Sequence, residues 1–326
     1  MATCVAGFGR ICGLVFSQNS IYHISMTTII ISPEACQSAD NIIGLALDED
    51  LLNRGDLTSQ ATVPKDAAAQ VNVVAREAGV LSGGVLIHRV YTSLCSRLQV
   101  STDSVEVTVH MPDGSPLQSG DHVATVKGPV QLLLTGERIA LNFLIHLSGI
   151  ASKTGEFVRR TAGSNAVILD TRKTLPGYRL LHKYAVRCGG GTNHRMGLYD
   201  GMLIKDNHLA ARGNRSVADA VSAARLFLSA RSLQLPVEVE VDTLEQLKDA
   251  LDARPEIVLL DNMKLAQLRQ AVALRNETSP STLLEASGGV NLETVGRIAG
   301  TGVDRISIGG LTHSAPALDL GYDWPW

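Results

Sequence analysis

The chain has 326 residues, 45% hydrophobic and 19% charged, with 29 Lys+Arg against 32 Asp+Glu. That length carries about two domains, and the composition excludes extended disorder. A net charge of −3 and an aromatic content of 4% supply neither a basic field nor a stacking surface for nucleic acid. No apolar run approaches the roughly 20 residues that span a bilayer.

Residues 1–33 hold no acid and one arginine, Arg10. They are expected to form a disordered extension to a cytoplasmic protein, with an organellar signal in residues 1–25 as the alternative. Cys4, Cys12, Cys36, Cys95 and Cys188 are scattered and form no C-x-x-C pair, which fits a reducing compartment rather than a disulfide or zinc scaffold.

From Ile42 the pattern becomes globular. Ile42, Ile43, Leu45, Ala46 and Leu47 predict a short helix stopped by Asp48, Glu49 and Asp50. Alternation predicts strands over 70–76 and 106–110, with a helix over 83–98 between them and a turn at Pro112-Asp113-Gly114. A long helical pattern follows over 137–160, with Gly149 as a candidate break.

Strand and helix then alternate regularly. Apolar β-branched runs at 166–169, 202–204, 237–241, 257–260, 283–284 and 306–308 are separated by helical stretches. This is the pattern of a parallel sheet, either open and doubly wound or closed as a barrel. Each run ends in polar residues or glycine, including Asp170 to Lys173, Lys205 to His208, Glu240, Asp261-Asn262, Glu285 to Gly289 and Gly309-Gly310. A barrel brings all six ends to one mouth, so an incomplete parallel α/β barrel is the expected fold.

Residues 171–212 carry eight Lys/Arg against two acids, a local net charge of +6. The i, i+4, i+8 spacing of Arg179, Lys183 and Arg187 reads as a solvated helix face. Arg172, Lys173 and Lys205 directly follow strands, where an unpaired cation is costly until an anion arrives. His194-Arg195, just past the glycines at 189–191, extends this cationic set. Glu240 and Asp261 fit either ion pairs with barrel lysines or Mg²⁺ beside substrate phosphates and ribose hydroxyls. Ser287-Gly288-Gly289 and Gly309-Gly310 resemble phosphate-binding strand–helix turns.

These motifs resemble the quinolinate phosphoribosyltransferase family: DTRKT at 170–174, GGTNHRM at 190–196, LIKDNH at 203–208, VEVEV at 237–241, LLDN at 259–262 and EASGGV at 285–290. REAGVLSG at 76–83 and GERIALNFLIHLS at 136–148 extend the resemblance into the first half. It implies an N-terminal α/β sandwich over 34–142, a catalytic barrel over 143–311, and a tail, 312–326, that packs on the sandwich. The activity implied is transfer of phosphoribose from phosphoribosyl pyrophosphate to quinolinate, with loss of CO₂.

The resemblance further implies that Arg138, Arg172, His194, Arg195 and Lys205 surround quinolinate, with Arg138 supplied by the second subunit of a homodimer. A trimer of such dimers is a further assembly. Lys173, Glu240 and Asp261 would face phosphoribosyl pyrophosphate and carry the catalysis, with Glu240 and Asp261 meeting its Mg²⁺ directly or through water. Ser287, Gly288, Gly289, Gly309 and Gly310 would hold the 5′-phosphate. Three other readings are a paralogue using nicotinate, an anion-binding barrel without catalysis, and an aldolase-like barrel with Lys205 as Schiff-base nucleophile.

Overall fold

The computed structural model describes residues 29–213 and 216–326. Most of the expected extension, residues 1–28, lies outside the described residues. Helix α1 (Pro33–Leu51) starts earlier than the apolar run indicates, because Ser32 accepts from the Ala35 amide and Pro33 occupies the first turn. Ala35, Ala39, Ile43, Leu47 and Leu51 form its buried stripe, so Asp48, Glu49 and Asp50 sit exposed inside the helix instead of ending it. Ile29 and Ile31 pack against a small core of Ala151, Tyr184 and Cys188, which places residues 29–33 in the folded unit.

The first half continues through α2 (Leu57–Thr62), β1 (Ala68–Ala75), β2 (Gly79–Val80), α3 (Gly84–Arg97), β3 (Glu106–Val109), β4 (Pro116–Leu117) and β5 (His122–Pro129). Strands β3, β5 and β1 form an antiparallel sheet completed by β12 (Leu320–Asp323) from the far end of the chain. Asp113 lies in the predicted turn. It is buried and accepts from the Gly83 and Gly84 amides and the Tyr184 hydroxyl, tying α3 to the second half.

Helix α4 (Val130–Arg160) is continuous over 31 residues and contains the expected 142/143 boundary within it. Gly149 does not break it. A Cβ there would stand 2.0 Å from the Pro316 carbonyl oxygen, so this glycine lets the returning tail cross the helix and deliver β12 to β1.

The second half holds β6 (Val167–Leu169), α5 (Arg179–Cys188), β7 (Met202–Ile204), α6 (Asp206–Ala211), α7 (Val217–Ser229), β8 (Val237–Val241), α8 (Leu244–Asp252), β9 (Ile257–Asp261), α9 (Leu265–Thr278), β10 (Leu283–Ser287), α10 (Val295–Ala299), β11 (Arg305–Ser307) and α11 (Gly310–His313). The six strands are all parallel, in the order β6-β11-β10-β9-β8-β7. That is a barrel order opened at one seam, between β6 and β7, and it lacks the reversal of a doubly wound sheet. Along the β6 edge, Thr192 bridges to Leu169 and partly fills the seam.

The joint between α4 and α5 buries a histidine pair, His146 Nε2 to His182 Nε2 at 2.8 Å, beside Tyr178. Burial, with His146 adding repulsion, lowers the His182 pKa to about 4. A depressed histidine pKa stabilises the fold at neutral pH, and that stability is lost as pH falls from the unfolded value toward about 4. Replacing His182 with Gln is expected to flatten the acid limb by up to about 3 kcal/mol, read from urea unfolding between pH 7 and pH 4. An unchanged difference in stability between those two pH values contradicts this account of the pair.

Candidate active site

A cavity of about 830 Å³ opens at the carboxyl ends of the six strands and receives residues from all of them. Arg172 and Lys173 follow β6, Lys205 follows β7, Glu240 lies at the end of β8, and Asp261 closes β9. Ser287, Gly288 and Gly289 line it after β10, Gly309 and Gly310 after β11, and His194 and Arg195 from the loop beyond α5. Arg138 lines no part of it; that residue is exposed on α4.

The cations are unequal. Lys205 Nζ pairs with Glu240 at 2.9 Å, the barrel-lysine arrangement weighed from the sequence. Among the described residues, no carboxylate lies within 4.0 Å of Arg172, Lys173 or Arg195. The Arg172 Nε is buried without a hydrogen-bond partner. Burial lowers the Arg195 pKa, and the neighbouring Arg172 charge lowers it further. Two close guanidinium groups without counter-charges mark a site completed by an incoming anion.

The loop that presents them hangs on a buried hub. Asp170 accepts from Lys183 Nζ at 2.5 Å, Asn193 Nδ2 at 2.6 Å and the His194 amide at 2.9 Å. Lys183 also donates to the His194 carbonyl at 2.8 Å. Its side chain is 1% exposed, so Lys183 does not belong to the solvated face predicted for Arg179, Lys183 and Arg187. The reason is tertiary: α5 turns this position onto the inner end of β6, where Asp170 is equally buried. Burial raises the Asp170 carboxyl and lowers the Lys183 ammonium despite their attraction. The pair therefore fixes geometry more than it adds stability. Arg179 links the neighbouring loops, donating to Thr174 Oγ1 and to the Met196 carbonyl.

On the opposite wall, Asn262 adopts a positive φ of 54° and donates from Nδ2 to Asp261 Oδ2 at 2.7 Å. A Cβ at Gly288 would fall 2.2 Å from Asn262 Oδ1, and its φ of +89° also favours glycine. A Cβ at Gly309 would fall 2.8 Å from the Lys173 side chain and 3.4 Å from the His313 ring. Gly309-Gly310 opens the short helix α11, whereas the next helix after Gly289 begins only at Val295.

His194 is more engaged than the sequence suggests. Its Nε2 lies 3.1 Å from Glu238 Oε2 and 3.4 Å from Glu285 Oε1, and its Nδ1 accepts from the Arg195 amide at 2.8 Å. Burial disfavours charge on the ring and the two glutamates favour it, raising its pKa, while the Arg195 amide held against Nδ1 opposes a second proton there. Sequence reasoning placed Asn262 and Glu285 among the polar strand endings but gave them no role, and it passed over Glu238 and His313. Glu238 precedes Glu240 by two positions on one strand and so shares its face, a signal present in VEVEV.

Two family models match the chain: the quinolinate phosphoribosyl transferase N-terminal domain over residues 56–148 and its C-terminal domain over residues 150–323. A nicotinate-nucleotide pyrophosphorylase (carboxylating) of Mycobacterium leprae is 47% identical over 286 residues, covering 88% of this chain and 97% of the relative. A mitochondrial quinolinate phosphoribosyltransferase (decarboxylating) of Nicotiana tabacum is 38% identical, covering 86% of this chain and 80% of the relative. The solved NadC of Streptococcus pyogenes superposes with a TM-score of 0.79 at 40% identity, covering 88% and 97% of the two chains.

Replacing Lys183 with Met leaves the Asp170 carboxylate buried and uncompensated, at an expected cost of about 3–5 kcal/mol in urea unfolding. Adding Asp170→Asn is expected to recover part of that loss. A single variant as stable as the parent contradicts the hub.

Proposed function

The chain belongs to the quinolinate phosphoribosyltransferase family, and we propose how its basic cavity performs that reaction. Phosphoribose passes from phosphoribosyl pyrophosphate to quinolinate, CO₂ is lost, and nicotinate mononucleotide and pyrophosphate are released. The observation that carries the residue assignment is the convergence of Arg172, Lys173 and Arg195, none ion-paired among the described residues, on one cavity.

Arg172 and Arg195 hold the two quinolinate carboxylates, with Lys205 at the rim and His194 as a wall. Lys173 faces the pyrophosphate, and the glycine turns at 287–289 and 309–310 take the 5′-phosphate. Holding two anions together overcomes their repulsion and sets the ring nitrogen against the anomeric carbon. The nitrogen's lone pair forms the new C–N bond while the C–O bond to pyrophosphate breaks, and Lys173 stabilises the departing charge. The pyridinium nitrogen then accepts electron density as the C2–carboxylate bond breaks. A solvent proton replaces CO₂ at C2, and no side chain is assigned to that transfer.

Glu240 and Asp261 offer hard oxygen donors in the same cavity and fit Mg²⁺, which takes few carboxylates and completes its shell with phosphate oxygens and water. Bound there, Mg²⁺ supplies charge neutralisation for pyrophosphate. Arg138, exposed and away from its own cavity, suits a homodimer in which each subunit completes the other's site. Lys205 sits in an ion pair with Glu240 rather than as the free amine that Schiff-base chemistry requires, which weighs against the aldolase-like reading. No described helix is long and apolar enough to cross a membrane. Cytoplasmic residence is the proposal, with a signal in residues 1–25 as the alternative.

Purified protein with Mg²⁺, phosphoribosyl pyrophosphate and quinolinate is expected to release CO₂. Arg172→Ala is expected to raise the quinolinate KM about 10- to 100-fold. Absence of CO₂ release sinks the reaction, and an unchanged KM sinks the Arg172 assignment. For the shared site, subunit exchange between inactive Arg138→Ala and Lys173→Ala proteins is expected to restore part of the activity. No recovery in verified heterodimers excludes contribution from the partner.

A further inference from the structure

At the cavity floor, charged groups from separate elements surround His194. The Glu238 and Glu285 side chains are 5% and 0% exposed, on β8 and β10, and both face His194. Arg305 on β11 donates from Nε to Glu285 Oε2 at 2.8 Å. Asp170 and Lys183 take the amide and carbonyl of His194 itself. Two acids below a site for anionic substrates oppose binding by charge alone, so their presence calls for a separate explanation.

His194, Glu238 and Glu285 place one ligand atom each within 4.8 Å of the others, a spacing compatible with a metal ion. The Arg195 amide argues against one. Its N–H points at Nδ1 from 2.8 Å, which requires a bare Nδ1 and therefore places the ring proton on Nε2, where a metal would need a lone pair. The same contact argues against a doubly protonated ring. The carboxylates favour a second proton, but an Nδ1–H would confront another N–H at that distance. With both nitrogens engaged, the ring has no N–H left for a substrate.

We propose that Glu238 and Glu285 are positioning residues: together they take the Nε2–H of His194, hold the ring as the tautomer whose Nδ1 anchors the Arg195 amide, and so aim the Arg195 guanidinium into the cavity. The consequence for quinolinate rests on the function proposed above; the tautomer does not. Arg305 takes Glu285 Oε2 and Glu238 Oε1 has no hydrogen-bond partner, so the carboxylate oxygens left to face the ring are Glu238 Oε2 at 3.1 Å and Glu285 Oε1 at 3.4 Å.

Histidine side-chain ¹⁵N spectra of the full chain test this directly, with the His194 signals assigned by their loss in His194→Asn. The expected spectrum at pH 7.5 has one protonated nitrogen, Nε2, and one bare nitrogen, Nδ1; a ring protonated at both overturns the proposal. In kinetics, Glu238→Leu is expected to raise the quinolinate KM about 10- to 100-fold, with the phosphoribosyl pyrophosphate KM changed less than about 2-fold. Glu238→Gln keeps an acceptor and is expected to bring the quinolinate KM back to within about 3-fold of the parent. A folded Leu variant with unchanged KM also overturns the proposal. If the Leu variant fails to fold, the spectrum of the unsubstituted chain still decides the tautomer. If the chain turns over no quinolinate, the proposed function fails while the spectrum is still readable.

Discussion

Asp170 is the constraint on which the site depends. It sits at the inner end of β6, fully buried, and gathers Lys183, Asn193 and the His194 amide. Through those three contacts it fastens the loop beyond α5 to the strand that leads, through Thr171, into Arg172 and Lys173. The barrel is open at this seam: among the described residues β6 and β7 do not pair, and the loop beyond α5 adds only a short backbone bridge, Leu169 to Thr192, along the β6 edge. A buried ion pair reinforces that bridge, and its desolvation cost is offset by geometry delivered to the cavity.

From that fastening follows an electrostatic division of the site. One wall presents cations without counter-charges, where carboxylates and phosphates are expected. The other presents Asp261 and glycine turns, where backbone approaches closely because Gly288 leaves room for Asn262. Between them, Arg305 offsets the charge of Glu285 and the His194 ring N–H faces Glu238, so both acids are engaged by neighbours within the protein. The cavity can thus remain cation-rich although the chain as a whole carries a net charge of −3.

Much of this was readable in the sequence, for identifiable reasons. The barrel strands declare themselves because they are β-branched and buried on both faces, and their order of polar endings places the chemistry. The start of α1 was also written, in Ser32-Pro33, but was obscured by the polar residues that follow. Lys183 could not be read as buried, because its partner Asp170 is local to another element and the i+4 cation spacing mimics a surface. Gly149 looked like a helix break because the tail that needs its missing Cβ lies more than 160 positions away. Arg138 had no signal apart from the family resemblance.

The central claim is that unpaired guanidinium groups select a substrate with two carboxylates. Calorimetric titration of the full chain with quinolinate and with nicotinate, at low and at moderate salt, measures this most directly. The account predicts that quinolinate binds at least about 10-fold tighter than nicotinate, with an advantage that shrinks as salt rises. Equal affinity for the two acids, or an advantage indifferent to salt, contradicts it.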